Sequence, residues 1–81
     1  MFYLARVEFY LKGDKKPCLV YDQFFCSKRK AREFISFKLK SCASSCLETY
    51  DVYRCIYPWL GVRGTDFKNP VLCEKVKQLR K

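Results

Sequence analysis

The sequence predicts a small α+β domain. Its sheet is three-stranded and mainly antiparallel, in the strand order 2-1-3, with two helices packed on one face and the chain order β-β-α-β-α. Three observations predict it. Residues Tyr3 to Lys12 alternate with period two. Residues Ala31 to Cys42 carry apolar side chains at the three-and-four spacing of a helix. Gly, Asp, Asn and Pro punctuate the chain where one period gives way to another.

Each element follows from local chemistry. Tyr3, Ala5, Val7, Phe9 and Leu11 share one face of the first strand, and Arg6, Glu8 and Lys12 share the other, because successive strand side chains point to opposite sides. Gly13-Asp14-Lys15-Lys16 supplies a polar turn closed by Pro17, and Cys18-Leu19-Val20-Tyr21 forms a short second strand, close enough for a hairpin. Ser27 is placed to cap a helix, since its hydroxyl can accept from a backbone N–H left without an intrahelical partner. Ala31, Phe34, Ile35, Leu39 and Cys42 then fall on one side of that helix. Lys38 interrupts this side and has to snorkel out of it, while Phe37 points away from it. The run Ser41-Cys42-Ala43-Ser44-Ser45 weakens the helix.

Leu47 to Tyr57, with Tyr50, Val52, Tyr53 and Ile56, favours a third strand that Pro58 stops. Residues 58–69 read as a loop around Gly61 and Gly64. Asn69-Pro70 has the form of a helix start, Asn as cap and Pro at the first position, with Leu72, Val76 and Leu79 as the apolar side of a second helix. The first strand is the longest and most apolar, which places it centrally. A right-handed crossover then carries the chain to the third strand, parallel to the second. Both helices are expected on the same face, where their stripes are buried. No linker or repeat divides residues 1–81, so a single compact domain is expected.

Composition supports a packed core. Of 81 residues, 49% are hydrophobic, and seven Phe, six Tyr and one Trp supply large side chains to a chain too short to bury much else. No apolar run reaches membrane-spanning length. The start MFYLARVEFYLK lacks the basic start, continuous apolar centre and small-residue cleavage site of a signal peptide, so with Met1 as the natural start the expectation is a cytoplasmic protein. In such a compartment Cys18, Cys26, Cys42, Cys46, Cys55 and Cys73 are expected chiefly as free thiols; disulfides or a metal site are the alternatives.

The inventory for chemistry is thin. There is no histidine, which removes Ser-His and Cys-His nucleophile pairs and His-bearing zinc sites. A zinc ion would need four thiolates, and the only tight spacing is Cys42-x-x-x-Cys46, one helical turn apart and expected to pack inward. Glu48 and Asp51 are the nearest carboxylates to a pair, but a strand sends them to opposite faces. Three scattered glycines make no phosphate-binding loop. No enzyme activity and no cofactor are expected.

Charge is the informative quantity. Residues 28–40 carry Lys28, Arg29, Lys30, Arg32, Lys38 and Lys40 against Glu33, a net +5, and residues 68–81 carry Lys68, Lys75, Lys77, Arg80 and Lys81 against Glu74, a net +4. Together these equal the whole net charge of +9, so the remaining residues are balanced. If both segments are helices on one sheet face, they present a single basic field that attracts polyanions. Basic helix backs also serve solubility alone, and segregation into both helices is what favours binding.

Candidate binding residues are therefore Lys28, Arg29, Arg32 and Lys40 on the first helix and Lys77 and Lys81 on the second. Trp59 and Arg63 join them from Pro58-Trp59-Leu60-Gly61-Val62-Arg63-Gly64, where an indole can stack on a base, anchor an interface or close one end of a small core. The far face of the first strand, with Phe2, Leu4 and Tyr10 beside Arg6 and Glu8, offers a mixed apolar surface to a partner or a second copy. The order β-β-α-β-α is not that of the RRM, and no RNP-like segment occurs.

The element order resembles that of some small phage-encoded proteins that block host machinery, such as anti-CRISPR proteins and RNA-polymerase inhibitors. The likeness covers element order alone, and it implies a host-directed binding protein. Two function classes follow. One is a small non-enzymatic inhibitor or adaptor docking on an acidic protein surface or nucleoprotein complex, with no membrane partner. The other is a largely sequence-nonspecific nucleic-acid binder held by Arg29, Arg32, Lys40, Lys77 and Lys81, whose affinity falls steeply with salt.

Overall fold

Alternation in Tyr3–Leu11 produces the central strand, β1, in the computed structural model, which describes residues 1–79. β1 pairs antiparallel with β2 (Leu19–Phe25), from Tyr3↔Phe25 to Phe9↔Leu19. On its other edge it pairs antiparallel with β3 (Tyr50–Pro58), from Tyr3↔Pro58 to Leu11↔Tyr50. The turn after β1 is closed by the Asp14 N–H donating to the Leu11 carbonyl at 2.9 Å, with Gly13 at φ +91°, a conformation that costs a residue with a Cβ. β2 runs past the predicted Tyr21 to Phe25 because its whole length pairs with β1.

The helix α1 (Lys28–Lys40) starts where Ser27 places it: the Ser27 hydroxyl accepts from the Lys30 N–H at 3.2 Å. Ala31, Ile35 and Leu39 are buried, and Phe34 packs on Phe25 with ring centroids 5.3 Å apart. Lys38 does more than snorkel. Its ammonium lies 4.8 Å from the Tyr21 ring centre and 5.7 Å from that of Phe34, so the charge rests on aromatic faces. A one-turn helix, α2 (Cys46–Thr49), delays the third strand to Tyr50, and Cys42, Cys46 and Leu47 pack against the core from this connection.

The largest departure from the sequence expectation lies at the C-terminal end. Leu72–Lys75 is a strand, β4, and among the described residues no second long helix exists. β4 pairs antiparallel with β3 from Tyr53↔Lys75 to Ile56↔Leu72, so the sheet has four strands in the order β2-β1-β3-β4 rather than three in the order 2-1-3. The physical reason is twofold. The spacing of Leu72 and Val76 fits one strand face as well as one helix face. The edge of β3 also needs partners for its backbone groups, which the Val71 N–H supplies to Ile56 O and the Val76 N–H to Val52 O, both at 2.7 Å. Asn69 is not a helix cap. Asp66 organises this corner instead, its carboxylate accepting from the N–H groups of Lys68 and Asn69 at 2.9 and 3.2 Å and from the Asn69 side chain at 3.2 Å.

The main core lies between the sheet and the helices: Ala5, Val7, Phe9, Ala31, Ile35, Leu39, Val52, Ile56 and Val76 are buried together. Leu4, Cys55 and Tyr57 form a second, thinner cluster on the opposite face.

Candidate binding surfaces

Two surfaces stand out, one on each side of the sheet. The first is the outer side of α1, about 20 Å long at a helical rise of roughly 1.5 Å per residue. Burial of Ala31, Ile35 and Leu39 fixes the rotation of the helix, and Lys28, Arg29, Lys30, Arg32, Ser36, Phe37 and Lys40 are left exposed. Lys28, Arg29 and Lys30 are the first three residues of the helix, whose first turn holds no acidic residue. Cations there oppose the partial positive charge of the helix N-terminus. Lys38 and Lys40, in the last turn, sit at the end that favours them.

None of the cations of α1 forms an ion pair among the described residues. All five ion pairs found there lie on the sheet: Arg6 with Glu8 and Asp22, Lys12 and Lys75 with Asp51, and Arg54 with Glu74. Phe37 is 67% exposed in the middle of the unpaired charges. Of the residues singled out from sequence, the structure thus brings Lys28, Arg29, Arg32 and Lys40 together on one helix. It does not bring Lys77 to a second helix. Lys77 follows β4, and the adjoining Lys75 and Glu74 are committed to the sheet, so the side-by-side pair of basic helices does not form. Lys81 lies outside the described residues.

The second surface is the sheet face that the helices leave open. Phe2, Leu4, Arg6, Glu8 and Tyr10 meet Val20, Asp22 and Phe24 from β2 and Asp51, Tyr53, Cys55 and Tyr57 from β3. The loop after β3 lays Phe67 over this face, 4.8 Å from the Tyr57 ring and 4.7 Å from the Arg6 guanidinium carbon. Arg6 is held on several sides, donating to Asp22 at 3.1 Å and lying 3.6 Å from Glu8, while its Nε is buried without a hydrogen-bond partner. The Tyr10 hydroxyl donates to Glu8 at 3.1 Å, and burial, with Glu8 beside it, raises the Tyr10 pKa. Burial also raises the Tyr57 pKa and pushes the Cys55 thiol up to about 12. Asp51 is held below its ordinary value, first by the hydrogen bond from Lys75 and then by Lys12. Arg6, Glu8, Tyr10, Asp51, Tyr53, Tyr57 and Phe67, with Asp14 and Cys73, line an open concavity of about 590 Å³.

Trp59 sits at one end of the same face, edge-on to Phe2 at 5.5 Å and to Phe24 at 6.3 Å, around an apolar notch of about 260 Å³. It neither closes the main core nor joins α1. Arg63 is exposed on the 3-10 turn Gly61–Arg63 that follows it, and Trp59 bridges to Thr65 across that turn. Phe37 is exposed, as its place off the apolar stripe predicts, but it was not counted among the binding residues. The stacking around Arg6 had no signal in the sequence, because it depends on where the loop folds.

Glu48 and Asp51 do not form a carboxylate pair: Glu48 is exposed on α2, and Asp51 is taken by Lys12 and Lys75. Among the described residues no three Cys, Asp or Glu side chains gather as a metal site requires, and no helix is long and apolar enough to cross a membrane. These features define a small α+β domain with a four-stranded antiparallel sheet, one face covered by a basic helix and one face open and aromatic. Comparison with protein-family models, with curated proteins and with solved structures gave no match to this chain.

Proposed function

We propose that this chain is a non-catalytic binding protein, an inhibitor or adaptor, that docks through the exposed side of α1 on an acidic protein surface. The observation that carries the reading is the cluster Lys28, Arg29 and Lys30 at the start of α1, unpaired with any carboxylate among the described residues and set where the helix dipole disfavours it. Of these three, only Lys28 finds a partner among the described residues, its ammonium 6.0 Å from the Tyr3 ring centre, and a local rule broken with no carboxylate to offset it points to a contact outside the molecule. Phe37 favours a protein over a bare polyanion, because an exposed aromatic side chain ringed by charge has the make-up of an interface anchor. The same cations also suit a nucleic-acid backbone, and that second reading predicts an affinity set by phosphate neutralisation and hence by salt.

The test is recovery of bound partners from cell extract, with and without nuclease, by the wild type and by Phe37→Ala and Arg29→Glu/Arg32→Glu. A protein partner survives nuclease and is lost with Phe37→Ala by about thirtyfold or more, equivalent to roughly 2 kcal/mol at an interface anchor. A nucleic-acid partner disappears with nuclease, depends on Arg29 and Arg32, and tolerates Phe37→Ala. Recovery unchanged by Arg29→Glu/Arg32→Glu overturns both readings.

A further inference from the structure

Cys55 and Cys73 face each other across β3 and β4 on the open side of the sheet, as direct register partners. The Val76 N–H donates to Val52 O, which makes residues 52 and 76 a hydrogen-bonded pair. Alternation along an antiparallel ladder then makes 55 and 73 a non-hydrogen-bonded pair, the kind with Cα atoms about 4.5 Å apart and side chains closest together. That spacing lies within the range a disulfide spans. The two sulfurs are already 3.4 Å apart, with the Cys55 thiol donating to Cys73.

We infer that Cys55 and Cys73 are a dithiol site that low-molecular-weight disulfides, such as oxidised glutathione, convert to a cross-strand disulfide. The two thiols are suited to different steps. Cys73 is exposed and Cys55 is fully buried. The Cys73 thiolate attacks the small disulfide, forming a Cys73–glutathione bond and releasing one glutathione thiolate, which takes up the proton Cys73 gave to solvent. The Cys55 sulfur then attacks Cys73, breaks the mixed disulfide and releases a second glutathione, which carries off the Cys55 proton. Two protein thiols lose two electrons, and one small disulfide becomes two thiols. Burial, which pushes Cys55 up to about 12, keeps it from attacking first, and its position 3.4 Å from the Cys73 sulfur fits it to the resolving step. Two of the other thiols are engaged elsewhere: Cys18 donates to Phe9 O at 3.3 Å and Cys42 to Lys38 O at 3.4 Å. The bond would tie the four-residue edge strand β4 to β3 and close the loop that carries Trp59, Arg63 and Phe67.

The test takes the reduced full chain through graded ratios of oxidised to reduced glutathione, alkylates remaining thiols in denaturant, and maps disulfides by mass spectrometry after proteolysis without reductant. The Cys55–Cys73 link is expected to form with an equilibrium constant about tenfold more favourable than any other pair, about 30 mV for a two-electron couple. The linked protein should melt on the order of 10 °C higher than the reduced one. Cys73→Ser, at an exposed position, should abolish the link and leave the melting temperature of the reduced protein nearly unchanged, and Cys18→Ser should leave the link intact. A mixed disulfide that stays on Cys73 while Cys55 remains alkylatable, a bond from Cys55 to any other cysteine, or a melting temperature unmoved by the link would overturn the inference.

Discussion

The outer side of α1 and the open face of the sheet lie on opposite sides of a molecule only 16 Å along its shortest axis, and they treat charge in opposite ways. On the open face Arg6 meets Asp22 and Glu8, and Asp51 meets Lys12 and Lys75. On α1, among the described residues, no cation meets a carboxylate, and three of them crowd the end of the helix least able to tolerate them. Charge spent inside the molecule shapes the fold. Charge left unspent is available to act beyond it, as the proposed docking on an oppositely charged surface requires. Of the net +9, residues 28–40 supply +5 and residues 68–81 supply +4, and the cations of α1 are left without carboxylate partners among the described residues.

This contrast can be broken or sharpened by substitution. The largest effect belongs to neither surface but to the core that separates them. Ile56 is fully buried between sheet and helix, and Ile56→Ala is expected to cost about 2–5 kcal/mol, a large fraction of what so small a domain holds. Urea unfolding measures it, and a cost of a few tenths would mean the core is loosely packed.

Next comes Arg6, whose pairing is assigned here to the fold. Arg6→Leu leaves Glu8 without its cation in a largely covered site and should cost about 1–3 kcal/mol in the same assay. Adding Glu8→Leu should recover most of the loss, because the carboxylate left without a cation is then the exposed Asp22 alone, which water can solvate. A double variant less stable than Arg6→Leu alone would show that the open face depends on the ions themselves.

On α1 the sign reverses. Lys28→Glu puts a carboxylate at the first helical position and four residues before Arg32, and should stabilise the fold by about 0.5–1.5 kcal/mol at low salt. Destabilisation would place Lys28 among the residues that serve the fold.

The smallest effects are in pH. The Asp51 pKa is lowered from 3.8 in the folded state, so its contribution is present above that value and fades as pH falls through the lowered one. Acid unfolding of Asp51→Asn should therefore be shallower than that of the wild type. The Cys55 pKa is raised from 9.0 to about 12, so its contribution is present below 9 and is lost as pH rises toward 12. A melting temperature that stays flat across that alkaline window would contradict the burial of this thiol.

Much of the fold was legible in the chain. Alternation placed β1, the apolar stripe from Ala31 to Leu39 placed α1, and Ser27 fixed its start, because each of these signals is local. β4 was not legible because Leu72 and Val76 satisfy two periods at once, and the choice between them is made by the open edge of β3, which is distant in sequence. That one misreading spread to the site. It placed Lys77 on a helix and hid the partnership of Cys55 with Cys73, which exists only where β4 pairs. The charge segregation of residues 28–40 was fully visible, since a count needs no geometry. The second basic segment misled, because two of its charged residues, Glu74 and Lys75, are taken by Arg54 and Asp51.

The most direct test of the outward role of α1 is partner recovery from nuclease-treated extract by Lys28→Glu/Lys30→Glu, a variant expected to be at least as stable as the wild type. Recovery should fall by about tenfold or more while the unfolding midpoint holds or rises, consistent with opposite-charge steering at the interface. Recovery equal to that of the wild type would mean that these cations serve no partner and that α1 is basic for solubility alone.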